Sequence, residues 1–324
     1  MKTVITIVVA MMVVYGWSMG VPAAQSQPYP SRPIQLVIPL PAGGGGDITG
    51  RLLAEELGEI LGTKIVVTNK VGAANALGTE IVAKSKKDGY TLCYTSSAAM
   101  VYIPLINAEN VHYDPIKDFD PLGLHVFFSV GLAVQESSPW KTFDDFIDYA
   151  KKNPAKIRVS SAGIGSTAHF NLEIIQSLTG TQFTHIPFKG GEAVLTALLG
   201  GHVEATIDAI GKIMPHAEAG KMRVLLVSKK FPPFPNVPTI TELGYKQDLL
   251  SGWFALFAPA GIPEEVRGVL LPAVQKAIKD PKLKTKAEKV GYVADYKSPS
   301  ELTKIMVSEY ETARPISVKM GLSK

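Results

Sequence analysis

Apolar and polar positions alternate between two periods along the chain. Residues 34–40 are almost continuously apolar, the pattern of a short strand buried on both faces. A run of glycines follows. Ile48, Leu52, Leu53, Leu57, Ile60 and Leu61 then recur on one face of a helix. Residues 64–69 form a second strand pattern, 77–86 a short helix and 91–96 a third strand. Strand, helix, strand, helix in this order predicts parallel βαβ units.

The pattern then breaks. Residues 107–121 lack periodicity, contain Pro115 and Pro121, and are expected to connect two lobes. A long apolar run covers 122–134. Thr142 and Asp145 form a capping-box pattern that opens a helix to about Lys152. Alternation resumes with strands at 156–161, 182–187, 204–208 and 223–228, and with helices starting at Ser166 and Gly191. Pro232, Pro233, Pro235 and Pro238 make 231–238 an extended crossing, because proline bars helix and removes a donor. A strand at 253–258 and helices at 263–279 and 299–312 complete the chain, with no tandem repeat. Two α/β lobes are expected: 27–124 with 230–324, and 125–229.

Residues 1–26 stand outside this pattern. Lys2, an apolar stretch from Val4 to Val14 and small residues at Ala23 and Ala24 form a secretory signal peptide pattern. The apolar stretch is short for a membrane anchor, and no later segment has the roughly 18 continuous apolar residues of a span. An exported, periplasmic protein is expected. The 324 residues are 46% hydrophobic and 19% charged, which favours packed cores over disorder. The net charge of +4 is scattered, and no Lys/Arg cluster interleaved with aromatics marks a nucleic-acid surface. Cys93 is the single cysteine, so no disulfide forms within the chain, and its apolar surroundings describe a buried small hydrophobe.

Candidate chemistry lies in two strand-to-helix loops. Pro41, Ala42, Gly43, Gly44, Gly45, Gly46 and Asp47 join the first strand to the first helix. Glycines let backbone amides approach a ligand, and the helix start adds partial positive charge, so the loop is an anion site. Neither dinucleotide nor Walker spacing fits, which favours a small anion and no cofactor. Asp47 is either a cap or a ligand contact. Gly163, Gly165, Ser166 and Thr167 form a second loop of this kind, with Ser166 as helix cap. Asp208, at a strand end, either binds a ligand group or caps a helix. Ser166, His169 and Asp208 also permit a secreted hydrolase reading, although no Gly-x-Ser-x-Gly elbow surrounds Ser166. The six histidines lack metal-binding spacing.

Taken in order, several segments carry a family resemblance. They are 29–34, the glycine loop ending at Asp47, 69–75, 88–92, 113–119, 165–169, 188–191, 235–239 and 258–263. The chain resembles the periplasmic substrate-binding proteins of tripartite tricarboxylate transporters, the Bug family. The resemblance implies a two-lobed Venus flytrap that closes about a hinge on a small carboxylate and presents it to membrane transporter subunits. It implies a binding protein and not an enzyme, with no metal, and a free hinge points to a monomer. It places Ala73, Ala74, Asn75, Ser96, Ser97 and Asp208 beside the two gripping loops. Ala42 stands where the family often has proline, Gly46 where it often has threonine, and Phe188 where tyrosine is common. A sensor that binds the same ligand for a signalling partner has the same sequence pattern.

Overall fold

A computed structural model describes residues 28–72, 75–188 and 191–322. The expected signal peptide, Ala73 and Ala74 lie outside these residues. Strands β1 (Ile34–Ile38), β2 (Ile65–Asn69) and β3 (Thr91–Ser96) alternate with helices α1 (Gly45–Leu61) and α2 (Ala76–Ala83). A π-turn at Ala98–Tyr102 leads into α3 (Ile103–Ile106), and β4 (Phe119–Phe128) follows. The next elements are β5 (Val130–Gln135), α4 (Phe143–Lys152), β6 (Arg158–Ser161), α5 (Thr167–Thr179), β7 (Thr184–Pro187) and α6 (Gly191–Leu199). Then come β8 (Ala205–Ala209), α7 (Ile210–Glu218), β9 (Met222–Val227) and β10 (Gly252–Pro259). The chain ends with α8 (Glu264–Lys279), α9 (Pro281–Glu288), β11 (Val293–Lys297) and α10 (Pro299–Lys319).

Two sheets result, one per lobe. The first has six strands in the order β11-β4-β10-β3-β1-β2, and the second five in the order β7-β6-β8-β5-β9. β1 pairs parallel with β2 and β3, and β6 pairs parallel with β7 and β8. The loops that leave these parallel strands therefore gather at their carboxyl ends, where open α/β sheets bind ligands.

Local chemistry sets the helix ends. Thr142 accepts from the Asp145 amide while Asp145 answers the Thr142 amide, so the expected capping box opens α4. Ser298 and Glu301 repeat the device at α10, with Pro299 in the first turn. Gly62 closes α1 at φ 62°, where a Cβ would be strained. Leu53, Leu57, Leu36, Phe254 and Leu270 pack one side of the first sheet. A second core runs from Val37 and Cys93 of the first lobe to Leu132, Val159 and Phe170 of the second, so apolar packing is continuous across one side of the molecule.

The apolar run at 122–134 is two strands that change sheet at Ser129. Residues 107–121 do not connect the lobes; they join α3 to β4 within the first. The proline-rich 231–238 stretch does not cross either. Phe231, Phe234 and Val237 pack on the core of the second lobe, and the chain re-enters the first sheet at Gly252. Sheet exchange thus falls at Ser129 and Ser251, beyond the expected 124/125 and 229/230 boundaries. Ser228 joins the two points: its hydroxyl lies 3.4 Å from that of Ser129 and 3.0 Å from that of Ser251.

Candidate functional site

The first loop is braced from behind by a charged group. Gly43 has φ 78°, Gly44 is the N-cap of α1, and Gly45 begins the helix. The first-turn amides have no intrahelical acceptor and remain available to an anion. Asp47 turns its carboxylate back on the loop. It accepts from the Gly43 amide at 2.9 Å, from Arg51 Nε at 2.9 and 3.0 Å, and from Asn69 Nδ2 at 2.9 Å. Burial, the largest influence, opposes ionisation, but the Arg51, Gly43 and Asn69 bonds outweigh it and hold the carboxyl below its usual range. Asp47 therefore answers the repulsion it would offer an anion by being neutralised in place.

Glycine at 45 and 46 is enforced by packing. A Cβ on Gly45 would overlap the Tyr292 hydroxyl, and one on Gly46 would overlap Leu40 and Phe254. Leu40 and Phe254 thus occupy the space that a side chain at position 46 would need. At the neighbouring strand ends, Asn75 opens α2 at φ 78° and its amide reaches Ser96 Oγ at 3.5 Å. Ser97 follows, with its hydroxyl buried and without a hydrogen-bond partner.

The second loop has the same geometry with neutral braces. Gly163 and Gly165 take φ 124° and 79°. Ser166 caps α5, accepting from the His169 amide at 3.2 Å and donating to the Gly163 carbonyl at 2.8 Å. His169 Nδ1 accepts from the Gly165 amide at 3.2 Å. The His169 ring stacks on His185 at 4.2 Å, and His185 Nε2 meets Ser161 Oγ at 2.6 Å. Burial lowers both imidazole pKa values to about 4, the His185 neighbour adding to the effect on His169. The amides of Thr167 and Ala168 in the first helical turn are left for an anion.

These bonds leave no catalytic relay. Ser166 is committed to a cap, and His169 presents Nδ1 to backbone and not to the serine hydroxyl. Asp208 pairs with Lys212 Nζ at 3.3 Å and accepts from the Ala209 amide at 2.7 Å. Among the described residues, no cluster of three or more His, Cys, Asp or Glu could hold a metal ion. Burial pushes the Cys93 thiol up to about 12, which keeps it unreactive.

Side chains that no local motif singles out bring the lobes together. Tyr292, just before β11, reaches Gly45 in the first lobe and feels the charge of Asp208 in the second. Burial first, then Asp208, keeps its hydroxyl protonated. Gly291 beside it meets Gly211 of α7 backbone to backbone. Across the site, Gly165 packs on Ile103 and Ile106, and the Tyr102 ring lies 4.9 Å from Phe170. Arg51, four residues after Asp47, and Lys212, four residues after Asp208, are the partners that spacing could have found. A groove of about 660 Å³ between α1 and β2, lined by Arg51, Glu55 and Val66, lies on the outer face.

The family model for the tripartite tricarboxylate transporter family receptor matches residues 49–322. The chain belongs to this receptor family. A UPF0065 protein of Cupriavidus necator is 35% identical over 303 residues, covering 93% of this chain and 91% of that protein. The structure of the periplasmic binding protein BugD is similar with TM-score 0.78 and 30% identity, covering 91% of this chain and all of that one (100%). Two further structures hold ligands. Rpa4515 of R. palustris with adipate matches at TM-score 0.81 and 30% identity, covering 90% of this chain and 98% of that chain. MatC of Rhodopseudomonas palustris with bound malate matches at TM-score 0.77 and 27% identity, covering 89% and 99%. This receptor is a two-lobed periplasmic solute-binding protein of the Bug type, and its family and structural neighbours are binding proteins, not enzymes. No helix among its described residues is long and apolar enough to cross a membrane.

Proposed function

We propose that this receptor holds a small organic carboxylate between residues 41–45 of one lobe and 163–167 of the other, and delivers it to a tripartite tricarboxylate transporter. The observation that carries the reading is the pair of glycine loops, each opening a helix with two or more first-turn amides unclaimed by a hydrogen bond within the helix or its cap. Asn75, Ser96, Ser97 and Asp208 border the same strand ends. Malate and adipate, bound by two neighbours, set the ligand class to try first. The lobes divide at the linked serines Ser129, Ser228 and Ser251, which act as the hinge. Closure about that hinge would bring both loops onto one carboxylate.

A thermal-shift screen of the purified protein against organic acids tests this. Ligand at about a hundred times its Kd stabilises the native state by about 2.7 kcal/mol, enough to raise Tm by several degrees. Malate, adipate or another carboxylate is expected to do so. A sugar or a cation raising Tm while no acid does would overturn the reading.

A further inference from the structure

One phenol beside the first loop has no partner. Tyr292 is 5% exposed. Among the described residues, its hydroxyl takes part in no hydrogen bond. The polar atoms there that are both sealed and unpartnered are Ser97 Oγ and His125 Nε2. The Tyr292 oxygen is unpartnered but not sealed, so it opens onto space that a water or a ligand atom can enter. A buried hydroxyl is ordinarily bonded, and leaving it unpaired is costly. Two rings fix where it points. Phe128 meets the phenol edge-on at 5.6 Å, and Phe254 lies tilted against it at 5.9 Å.

The topology puts that space at the candidate site. Tyr292 stands just before Val293, which opens β11 opposite Phe127 of β4. β11 runs antiparallel to β4, β4 to β10 and β10 to β3, while β3 and β1 are parallel. The start of β11 therefore lies at the carboxyl ends of β1 and β3, where the first loop begins. There the phenol oxygen takes the place that a Cβ on Gly45 would occupy. Gly45 is the first residue of α1, and the free groups of that turn are N–H donors. Donors cannot accept the phenol's one proton. Burial, and after it the charge of Asp208, keeps that proton on the oxygen. The neighbouring glycine ties the same segment to the second lobe, since Gly291 meets Gly211 of α7 backbone to backbone. An unspent O–H thus joins unspent N–H groups where the lobes meet, and an anion answers all of them.

We propose that Tyr292 is a ligand-contacting residue: its hydroxyl donates to the carboxylate held by the amides that open α1. The proposal rests on the carboxylate reading above and deepens it. It adds a side-chain donor from the C-terminal segment to a grip otherwise made by backbone. The contact is with the carboxylate, so it serves malate and adipate alike. No described residue is bonded to this hydroxyl, so removing it should weaken binding and leave folding unchanged.

Titration calorimetry with malate and adipate compares the wild-type protein with Tyr292→Phe, which keeps the ring against Phe128 and Phe254. A hydrogen bond to a charged group is worth about ten- to a hundredfold in affinity. Kd should rise by that factor for both acids, with the urea midpoint unchanged. Tyrosine ¹³Cζ NMR gives a second readout: the signal missing from Tyr292→Phe should move when acid is added to the wild type. Equal affinity in the two proteins, or a signal that stays put at saturation, overturns the proposal. A loss for malate alone also overturns it, because it places the phenol on the malate hydroxyl. If affinity and urea midpoint fall together, the NMR signal decides in the same way. Should neither acid bind the wild type, the acid that raises Tm most in the thermal-shift screen takes their place. If no acid binds at all, the carboxylate reading fails and this proposal with it, an outcome distinct from equal binding in both proteins.

Discussion

The loops after β1 and β6 share one geometry and are braced by opposite chemistry. Each leaves a parallel strand, turns through glycines at positive φ and opens a helix with free amides. The first is tied by an ionised carboxylate that collects Gly43, Arg51 and Asn69. The second is tied by neutral hydroxyls and imidazoles, Ser161, Ser166, His169 and His185. An anion site therefore needs no fixed positive side chain to be held open. The physical requirement is that every polar group behind the amides be satisfied, and a charged or a neutral network can meet it. The two networks should fail under different insults.

The largest expected effect is on the first loop. Gly45→Val drives two methyl groups into the space of Tyr292 and should remove carboxylate binding, by two orders of magnitude or more. Adding Tyr292→Ala reopens that space and should recover part of the affinity. Calorimetry on the four members of this double-mutant cycle checks the coupling. Additive losses would show that Gly45 is not held by Tyr292 packing.

Acid separates the loops next. The imidazoles of His169 and His185 fall from an ordinary 6.5 to about 4 in the folded chain. A lowered base binds fewer protons folded than unfolded, so its contribution is present above pH 6.5 and is lost as pH falls through about 4. A pKa lower by one in the folded chain is worth about 1.4 kcal/mol, less where the ring meets solvent. Protonation also removes the Nδ1 lone pair that holds the Gly165 amide. Urea unfolding across this window should show the loss, and His169→Asn, which cannot titrate, should flatten part of it. The Asp47 network stays ionised at these pH values, because its carboxyl is held low.

Asp47→Ala attacks the charged network directly. It leaves the Gly43 amide without its acceptor, while Asn69 Nδ2 keeps the Leu40 carbonyl and Arg51 keeps Asn69 Oδ1 through Nη2. Loss of such a buried group costs about 2 kcal/mol, the Arg51 share being small because that side chain is half exposed (49%). The urea midpoint should fall with an unchanged m-value. A drop in affinity without loss of stability would instead make Asp47 a ligand contact.

What was legible in the sequence follows from range. The loops are local: glycines between a strand pattern and a helix pattern announce themselves within ten or so residues, and so does the Thr142 capping box. The change of sheet at Ser129 was hidden because β4 and β5 are both buried, so the apolar run gives no break. The prolines of 231–238 were misleading because an extended segment can lie flat on the second lobe as well as cross between lobes. Tyr292 reaches Gly45 from a distant part of the chain, and Tyr102 and Glu309, which bond to each other, stand 207 residues apart. No periodicity encodes that meeting. Asp47 was legible as a residue and ambiguous in role, since its partner Asn69 lies on the next strand.

The smallest effect concerns the helix caps, where the loops also differ. Gly44 caps α1 with no side-chain bond, while Ser166 caps α5 through its hydroxyl. Ser166→Ala removes an acceptor from the His169 amide and a donor from the Gly163 carbonyl, and should cost about 1 kcal/mol. Ser166→Gly should cost only a few tenths of a kcal/mol, because glycine lets water reach the freed amide. That variant makes the second loop resemble the first at its cap while keeping its neutral brace. If both substitutions destabilise equally in urea, the hydroxyl does more than cap, and the bond to Gly163 is what holds the loop. If glycine is nearly neutral and affinity is preserved, backbone geometry alone suffices for both halves of the grip.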